Sequence, residues 1–240
     1  MSDPENVYWG IPAKREIAAD PVLDQVEWFF REARCNDHRL AFGRAIGNLI
    51  AVNRSFLIAQ AKKAIEIGFP NTLLMMDTDA KPITPSMHDA LLFVKEDFRL
   101  GYDLVLAPVH TLAKKDSGEY AWFEEWKDAP GAERTEEGPW PVLGGSLTQS
   151  FLSPKLLTRL TMLKKPDGTD YWWEPNNAKP IPMYCETRDN HTEDIHLCNR
   201  VREELELRVC CDGRLKIRHQ KVADSPAFGE LPSDLVGAPA

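Results

Sequence analysis

The sequence predicts an α/β domain in which helices flank a mixed, mostly parallel β-sheet, and three observations lead to this class. Short apolar runs alternate along the chain with segments whose apolar residues recur at helical spacing. The run at 72–76 is apolar at consecutive positions, which is typical of a strand covered on both faces. The chain has 240 residues, 43% of them hydrophobic, which is enough for one domain with a buried core.

The N-terminal part is predicted to contain one strand and two helices. The strand occupies 7–11 and ends before a proline, and the first helix covers 20–33, where an Asp-Pro pair supplies the N-cap and the first helical residue. Apolar positions at helical spacing predict a second helix at 57–65, which Gly68 ends. The pattern leaves 42–52 unassigned.

A βαβ unit is predicted over 72–109. Its first strand is 72–76, its helix runs from Thr84 to Gly101, and its second strand covers 103–109. Two strands that a single helix joins in one sheet run parallel.

The C-terminal half has a less regular pattern. Residues 114–140 are acidic and rich in tryptophan, and 164–182 are rich in Pro, Asn and Gly, so both are predicted to be long loops of functional interest. A helix is predicted after Thr192, and a terminal hairpin over 207–218.

Composition and charge narrow the class of protein. The net charge of −8 disfavours binding a bare nucleic acid through its phosphates. No stretch approaches the roughly 18 apolar residues that cross a bilayer, and the polar start is unlike a signal peptide. Five cysteines without paired spacing are expected to be reduced thiols. We therefore expect a cytoplasmic protein with one domain over 1–221 and a loosely ordered tail over 222–240.

The strongest candidate for chemistry is the D-x-D motif Asp77-Thr78-Asp79, which directly follows the buried strand. Ligands of open α/β sheets bind beyond the carboxyl ends of the strands, and two carboxylates there are costly unless a cation lies between them. Mg²⁺ or Mn²⁺ suits such oxygen ligands. The alternative is an Asp-rich turn that leads to Pro82.

Two further candidates are weak when each is taken alone. Thr192-Glu193-Asp194 begins a helix, where acidic residues are ordinary because of the exposed N–H groups and the helix dipole. His219 follows a basic strand near the end of the chain, where a lone histidine is usually a surface residue. Both become stronger candidates for a functional site because they follow the D-x-D motif and a Gly-Gly pair in this order along the chain.

This combination resembles the nucleotide-sugar-dependent glycosyltransferases of the GT-A fold, particularly the family 2 type. The most specific parts are 76–79, the Thr-Glu-Asp-Ile-His-Leu-Cys segment at 192–198 and the Ile-Arg-His-Gln-Lys segment at 217–221. The resemblance extends from Val7 to Lys221 and implies a single Rossmann-like domain. The Gln-x-x-Arg-Trp motif of processive polysaccharide synthases is absent, which implies an enzyme that transfers one sugar at a time.

The resemblance implies a metal-dependent, hexosyltransferase-type enzyme that uses a nucleoside-diphosphate sugar, expected to be a UDP-sugar. It makes Asp194 the general base of an inverting reaction, with Glu193 beside it. Retaining GT-A enzymes share the D-x-D motif and the late histidine, so the inverting assignment depends on Asp194 alone. It assigns Mn²⁺ or Mg²⁺ to Asp77, Asp79 and His219. The residues that it places around the donor are Pro12, Ala13, Arg15, Arg54, Asp77, Thr78, Gly144, Gly145 and Lys221.

The acceptor hydroxyl stays open and could belong to a glycan, a protein, a small molecule or a modified nucleic-acid base. Trp122, Trp126 and the pair Trp172-Trp173 could form its walls, because aromatic rings stack on sugar faces, or they could anchor loops. A sugar-1-phosphate nucleotidyltransferase is the first alternative, but 10–13 holds one glycine where a Gly-rich triphosphate loop would stand. The second is a non-catalytic module that binds a nucleotide sugar or a glycan.

Overall fold

The computed structural model describes residues 6–13, 25, 39–46, 49–69, 71–83, 86–114, 120–174, 179–188 and 191–219. Of the predicted helix over 20–33, only Gln25 is among them. Arg15, Cys35, Lys221 and the predicted tail over 222–240 lie outside the described residues.

An eight-stranded sheet forms the centre of the molecule. Its strands in chain order are β1 (Asn6–Ala13), β2 (Arg39–Ile46), β3 (Thr72–Met76), β5 (Tyr102–Leu106), β8 (Trp126–Asp128), β9 (Pro139–Gly145), β10 (Gln149–Leu152) and β13 (Arg208–Asp212). Their order across the sheet is β2-β1-β3-β10-β5-β13-β9-β8. Three strand pairs complete the described β-structure: β4 (Ala80–Pro82) with β14 (Ile217–His219), β6 (His110–Lys114) with β7 (Tyr120–Glu124), and β11 (Trp172–Trp173) with β12 (Ile181–Pro182).

The strand directions confirm the α/β class and correct the prediction of a mostly parallel sheet. β1 runs parallel to β2 and β3, and β13 runs parallel to β5, whereas the other four pairings are antiparallel. The predicted βαβ unit is present as two strands of the same direction, β3 and β5, joined by a helix. These strands are not neighbours, because β10 lies between them and runs antiparallel to both.

Helices cover both faces of the sheet. On one face lie α1 (Ile50–Glu66), α3 (Pro154–Arg159), α4 (Glu193–Asn199) and the π-helical turn Arg200–Glu204, and on the other lies α2 (Met87–Arg99). Leu73 and Met75 of β3 belong to the first apolar cluster, and Leu74 and Met76 belong to the second. The consecutive apolar residues of β3 are therefore explained by burial on both faces, as predicted.

The helix ends follow local signals. The hydroxyl of Ser86 caps α2 by accepting a hydrogen bond from the backbone N–H of Asp89 at 3.0 Å. Gly68 and Gly101 have φ angles of +87° and +91° and follow α1 and α2, which confirms both predicted stops. Within the described residues, no helix combines the length and the apolar composition needed to cross a bilayer.

The predicted terminal hairpin over 207–218 is wrong. β13 lies inside the main sheet between β5 and β9, and β14 leaves the sheet to pair with β4. At the turn between them, a Cβ on Gly213 would collide with the backbone carbonyl of Thr135. Glycine at this position therefore allows the chain to turn out of the sheet toward β4.

The described part of the acidic segment 114–140 is folded rather than a long loop. It contributes β7 and the edge strand β8, and Trp126 and Trp140 are only 4% and 0% exposed. Arg134 stacks on the Trp126 ring and forms ion pairs with Glu124 and Asp128. Because Trp126 is buried, it cannot offer a ring face to an acceptor.

The four described cysteines, Cys185, Cys198, Cys210 and Cys211, are buried free thiols, as expected. Cys210 and Cys211 belong to the apolar clusters on opposite faces of the sheet. Burial raises the pKa of all four thiols, which keeps them protonated and unreactive.

Candidate functional site

The D-x-D turn at 77–79 joins β3 to β4 at the carboxyl edge of the sheet. The backbone N–H of Asp77 donates to the carbonyl of Thr148 at 2.8 Å. The buried side-chain amide of Gln25 donates to the carbonyls of Asp77 and Ala80, both at 2.7 Å, so it spans the turn and fixes its conformation. Sequence reasoning missed Gln25, because a glutamine inside a helical pattern carries no signal of its tertiary partners.

Arg54 of α1 joins the two acidic motifs. Its side chain is 2% exposed, and Nη2 donates to both carboxylate oxygens of Asp77, at 3.0 and 3.2 Å. Nη1 donates to Oε1 of Glu193 at 2.8 Å and also contacts Asp194. The structure therefore brings the D-x-D turn and the first turn of α4 together around one guanidinium.

The Arg54 cluster, which consists of Arg54, Asp77, Glu193 and Asp194, has more acidic than basic groups. Burial acts to lower the pKa of Arg54, but the negative charges of Asp77 and Glu193 outweigh it, so the pKa of Arg54 is raised. The guanidinium therefore stays charged. One cation is therefore shared by three carboxyl groups.

Two glycines of β9 are closely packed, Gly144 against α4 and Gly145 against Leu106 of β5. A Cβ on Gly144 would lie 3.2 Å from Cδ1 of Ile195 and 3.3 Å from Cβ of Cys198. A Cβ on Gly145 would lie 3.0 Å from Cδ1 of Leu106. Close packing is sufficient to explain both glycines, and their contact with a donor sugar stays a prediction.

β14 brings the backbone of His219 to the D-x-D turn. In the antiparallel pair with β4, Ile217 lies opposite Pro82, and His219 lies opposite Ala80, the residue after Asp79. Residues that face each other in such a pair have Cα atoms about 4.5–5.5 Å apart. Three segments that the resemblance assigned to one site therefore meet at one edge of the sheet.

The fit of a divalent cation depends on Asp79 and His219. Both oxygens of Asp77 accept hydrogen bonds from Arg54, while Thr78 and Asp79 are half-buried in the turn. Among the side chains that the structure describes, no three His, Cys, Asp or Glu residues are arranged to hold a metal ion, and of His219 only the backbone is described. A carboxylate and an imidazole suit Mn²⁺ and, together with phosphate oxygens, Mg²⁺.

The strand β1 ends at the same edge. Gly10 lies opposite Met75 of the parallel strand β3, so the backbone of Pro12 and Ala13 extends beside the D-x-D turn. The strand continues through Pro12, opposite Ala45 of β2, instead of ending before it as predicted. Proline is tolerated there because the pairing with β3 stops at Gly10.

Trp172 and Trp173 point in different directions on the β11–β12 hairpin. Trp173 packs with Val52 of α1 in a small apolar cluster, whereas Trp172 is 42% exposed. Trp172 borders an open depression of about 500 Å³ together with Glu174 and Lys179. This depression lies on the hairpin and not at the Arg54 cluster, and Trp172 is the ring of the pair that can stack on a ligand.

Comparisons with known proteins bear on the fold. No protein-family model matches the chain. No curated protein matches it either. Among 15 matching solved chains is the structure titled "Crystal Structure of A197 from STIV", which aligns with a TM-score of 0.50 and 16% sequence identity over 90% of this chain and 86% of that chain. At this identity the likeness concerns the α/β fold alone.

Proposed function

We propose that this protein is a metal-dependent glycosyltransferase of the GT-A type, which moves a sugar from a nucleoside-diphosphate sugar to an acceptor hydroxyl with inversion. The observation that carries the proposal is the Arg54 cluster, which gathers Asp77, Glu193 and Asp194 at the carboxyl edge of the sheet. The approach of the His219 backbone to the same turn supports it. Ligands of α/β sheets bind at this edge.

The reaction needs one proton transfer and one displacement. Asp194 takes the proton of the acceptor hydroxyl while its oxygen forms a bond to the anomeric carbon. The bond between that carbon and the β-phosphate oxygen breaks, its electron pair stays on oxygen, and the nucleoside diphosphate leaves. Asp194 suits the role of base because 16% of its side chain is exposed, compared with 9% for Glu193.

The acidic excess of the Arg54 cluster accounts for the expected dependence on a metal. Carboxylates repel the diphosphate of a donor unless a cation is bound between them. Asp79 and His219 would hold Mn²⁺ or Mg²⁺, which neutralises the charge that develops on the leaving diphosphate. Arg54 meanwhile keeps Asp77, Glu193 and Asp194 from repelling one another.

A panel of donors tests the proposal. UDP-, GDP- and dTDP-sugars are added with and without Mn²⁺, and the melting temperature is recorded together with release of nucleoside diphosphate to water. We expect one of the nucleotide sugars to raise the melting temperature only when the metal is present. We also expect its nucleoside diphosphate to be released slowly, with water as the acceptor. Binding without release would identify a non-catalytic module, and pyrophosphate release from a nucleoside triphosphate and a sugar 1-phosphate would identify a nucleotidyltransferase. Either result would reject the proposal.

A further inference from the structure

We propose that Arg54 is a positioning residue, which holds Asp194 in the orientation that a general base needs and acts on the reaction through that carboxylate. The inference rests on the proposed function, because it assumes that Asp194 takes the proton of the acceptor. It replaces the role that the resemblance implies for Arg54, a direct contact with the nucleotide.

The exposures of the four side chains place Arg54 behind the carboxylates. Arg54 is 2% exposed, whereas Asp77, Glu193 and Asp194 are 17%, 9% and 16% exposed. A ligand that arrives from solvent therefore meets carboxylate oxygens before it reaches the guanidinium. A phosphate could bind Arg54 only by displacing carboxylates that already accept its hydrogen bonds, which makes a direct contact with the donor unfavourable.

The geometry of the guanidinium links the two acidic motifs rigidly. The two bonds from Nη2 to the oxygens of Asp77 fix that edge of the group. Because a guanidinium is planar, fixing one nitrogen sets the position of the other. Nη1 faces Glu193 and Asp194, so the position of Asp194 is set relative to the D-x-D turn.

The residue after Arg54 holds the segment that leads to α4. The hydroxyl oxygen of Ser55 accepts hydrogen bonds from the backbone N–H groups of Tyr184 and Cys185, at 3.0 and 3.3 Å. α1 therefore contacts the approach to α4 through Ser55 and its first turn through Arg54. Movement of α4 away from the D-x-D turn is resisted at both places.

Loss of the guanidinium should act on rate more than on donor affinity. Without the guanidinium, three carboxyl groups face one another, and their repulsion turns Asp194 away from the orientation in which it can take the proton of the acceptor. The D-x-D turn that carries Asp79 keeps its conformation without Arg54, because the side-chain amide of Gln25 still donates to the carbonyls of Asp77 and Ala80.

The test compares Arg54→Met with Arg134→Met. Arg134 serves as the control, because its guanidinium is likewise shared by two carboxylates, Glu124 and Asp128, and neither belongs to the Arg54 cluster or to the segment that leads to α4. Arg54→Met should lower kcat about 100-fold and change the donor KM by less than about threefold, and Arg54→Lys should recover part of kcat. Arg134→Met should lower the melting temperature and leave kcat of the folded protein unchanged.

A double variant distinguishes positioning from direct catalysis. Adding Arg54→Met to Asp194→Asn should slow the reaction no further than Asp194→Asn alone, because both changes remove the same base. Losses that multiply would overturn the proposal. So would a raised donor KM with kcat unchanged, which would show that Arg54 binds the donor.

A folding measurement separates this inference from the proposed function. Removal of a buried cation can unfold a protein. The interaction between Arg54 and Asp194 is therefore also measured by urea unfolding of Arg54→Lys, Asp194→Asn and the double variant. Non-additive losses of stability support this interaction, and additive losses overturn it. If the wild-type protein releases no nucleotide from any donor, the proposed function fails, while the unfolding data still decide whether Arg54 holds Asp194.

Discussion

Nη1 of Arg54 and Oε1 of Glu193 lie 2.8 Å apart, although 139 positions separate the two residues along the chain. The contact joins α1 to the start of α4. Both charges are largely buried, so removing either partner would leave the other unpaired and destabilise the folded protein. Glu193 and Asp194 are neighbours in the sequence, but their side chains differ in exposure to solvent. The side chain of Glu193 is 9% exposed, and that of Asp194 is 16% exposed.

Glu193→Gln is expected to affect stability, and Asp194→Asn is expected to affect turnover. The glutamine loses a charge-assisted hydrogen bond at a buried site, which costs about 1.5–3 kcal/mol of unfolding free energy. The asparagine cannot accept the proton of the acceptor, so kcat should fall by about 10²- to 10⁴-fold while donor binding is kept. Urea unfolding and nucleotide release measure the two effects. Full turnover by Asp194→Asn would show that another group is the base.

The two aspartates of the D-x-D turn are expected to behave differently. Asp77→Asn loses the two charge-assisted bonds from Arg54 and should lower the melting temperature of the protein without ligands. Asp79→Asn should remove the rise in melting temperature that a donor causes with Mn²⁺, because its carboxylate is the proposed metal ligand. Thermal unfolding with donor, with and without Mn²⁺, measures both. Equal loss of the metal-dependent rise in both variants would contradict this division of roles.

The position of the site could be predicted from local sequence. The consecutive apolar residues of β3 and the glycines after α1 and α2 are local signals, and they correctly placed Asp77 after a buried strand. The nearness of His219 to Asp79 could be predicted only through the resemblance. It depends on the pairing of β14 with β4, for which the sequence of either segment alone carries no signal.

The predictions that were wrong depend on contacts between distant segments. The insertion of β10 between β3 and β5 adds two antiparallel pairings, so the mixed sheet is not mostly parallel, and a four-residue strand in a later part of the chain has no periodicity that reveals its partners. The same applies to Arg54 and Gln25. Their positions in helical patterns can be read, but their partners on the D-x-D turn and α4 are set by the tertiary fold.

A second buried acidic pair lies away from the candidate site. Asp97 of α2 and Asp212 of β13 are both 0% exposed and share Arg214, whose Nη2 lies 2.9 and 2.8 Å from their oxygens. Burial, followed by the charge and hydrogen bond of Asp212, raises the pKa of Asp97 to about 9, although Arg214 acts in the opposite direction.

The contribution of Asp97 to the free energy of unfolding is therefore expected to fall as pH rises from about 3.8 to about 9. In this interval the folded chain keeps the proton of Asp97 and the unfolded chain releases it, so each increase in pH favours the unfolded state. Asp97→Asn should flatten the dependence and be most stabilising, relative to wild type, near pH 9. Urea unfolding at pH 5, 7 and 9 measures this.

Asp167→Asn is the matched control for Asp97→Asn. Asp167 is exposed, and hydrogen bonds from Thr169 lower its pKa, so it is ionised in both states at pH 5, 7 and 9. This variant should keep the slope of the wild-type protein. A wild-type slope in Asp97→Asn would mean that Asp97 is ionised in the folded protein at neutral pH.

Gly213→Ala is expected to destabilise the protein, and Gly138→Ala is not. A Cβ at Gly213 would meet the carbonyl of Thr135 and lie 2.7 Å from Cα of Glu136, and backbone atoms cannot yield as a flexible side chain can. No described atom lies within 4 Å of a Cβ at Gly138. Overpacking of this kind costs about 1–3 kcal/mol, which urea unfolding would detect.

The same substitution should also weaken metal-dependent donor binding. Gly213 turns the chain from β13 into β14, so a shift there moves the backbone of His219 away from its place opposite Ala80. Gly213→Ala should therefore reduce the rise in melting temperature that donor and Mn²⁺ produce, while Gly138→Ala keeps it. A full rise in Gly213→Ala would mean that donor binding does not depend on the pairing of β14 with β4, and the metal site would then have to be sought without His219.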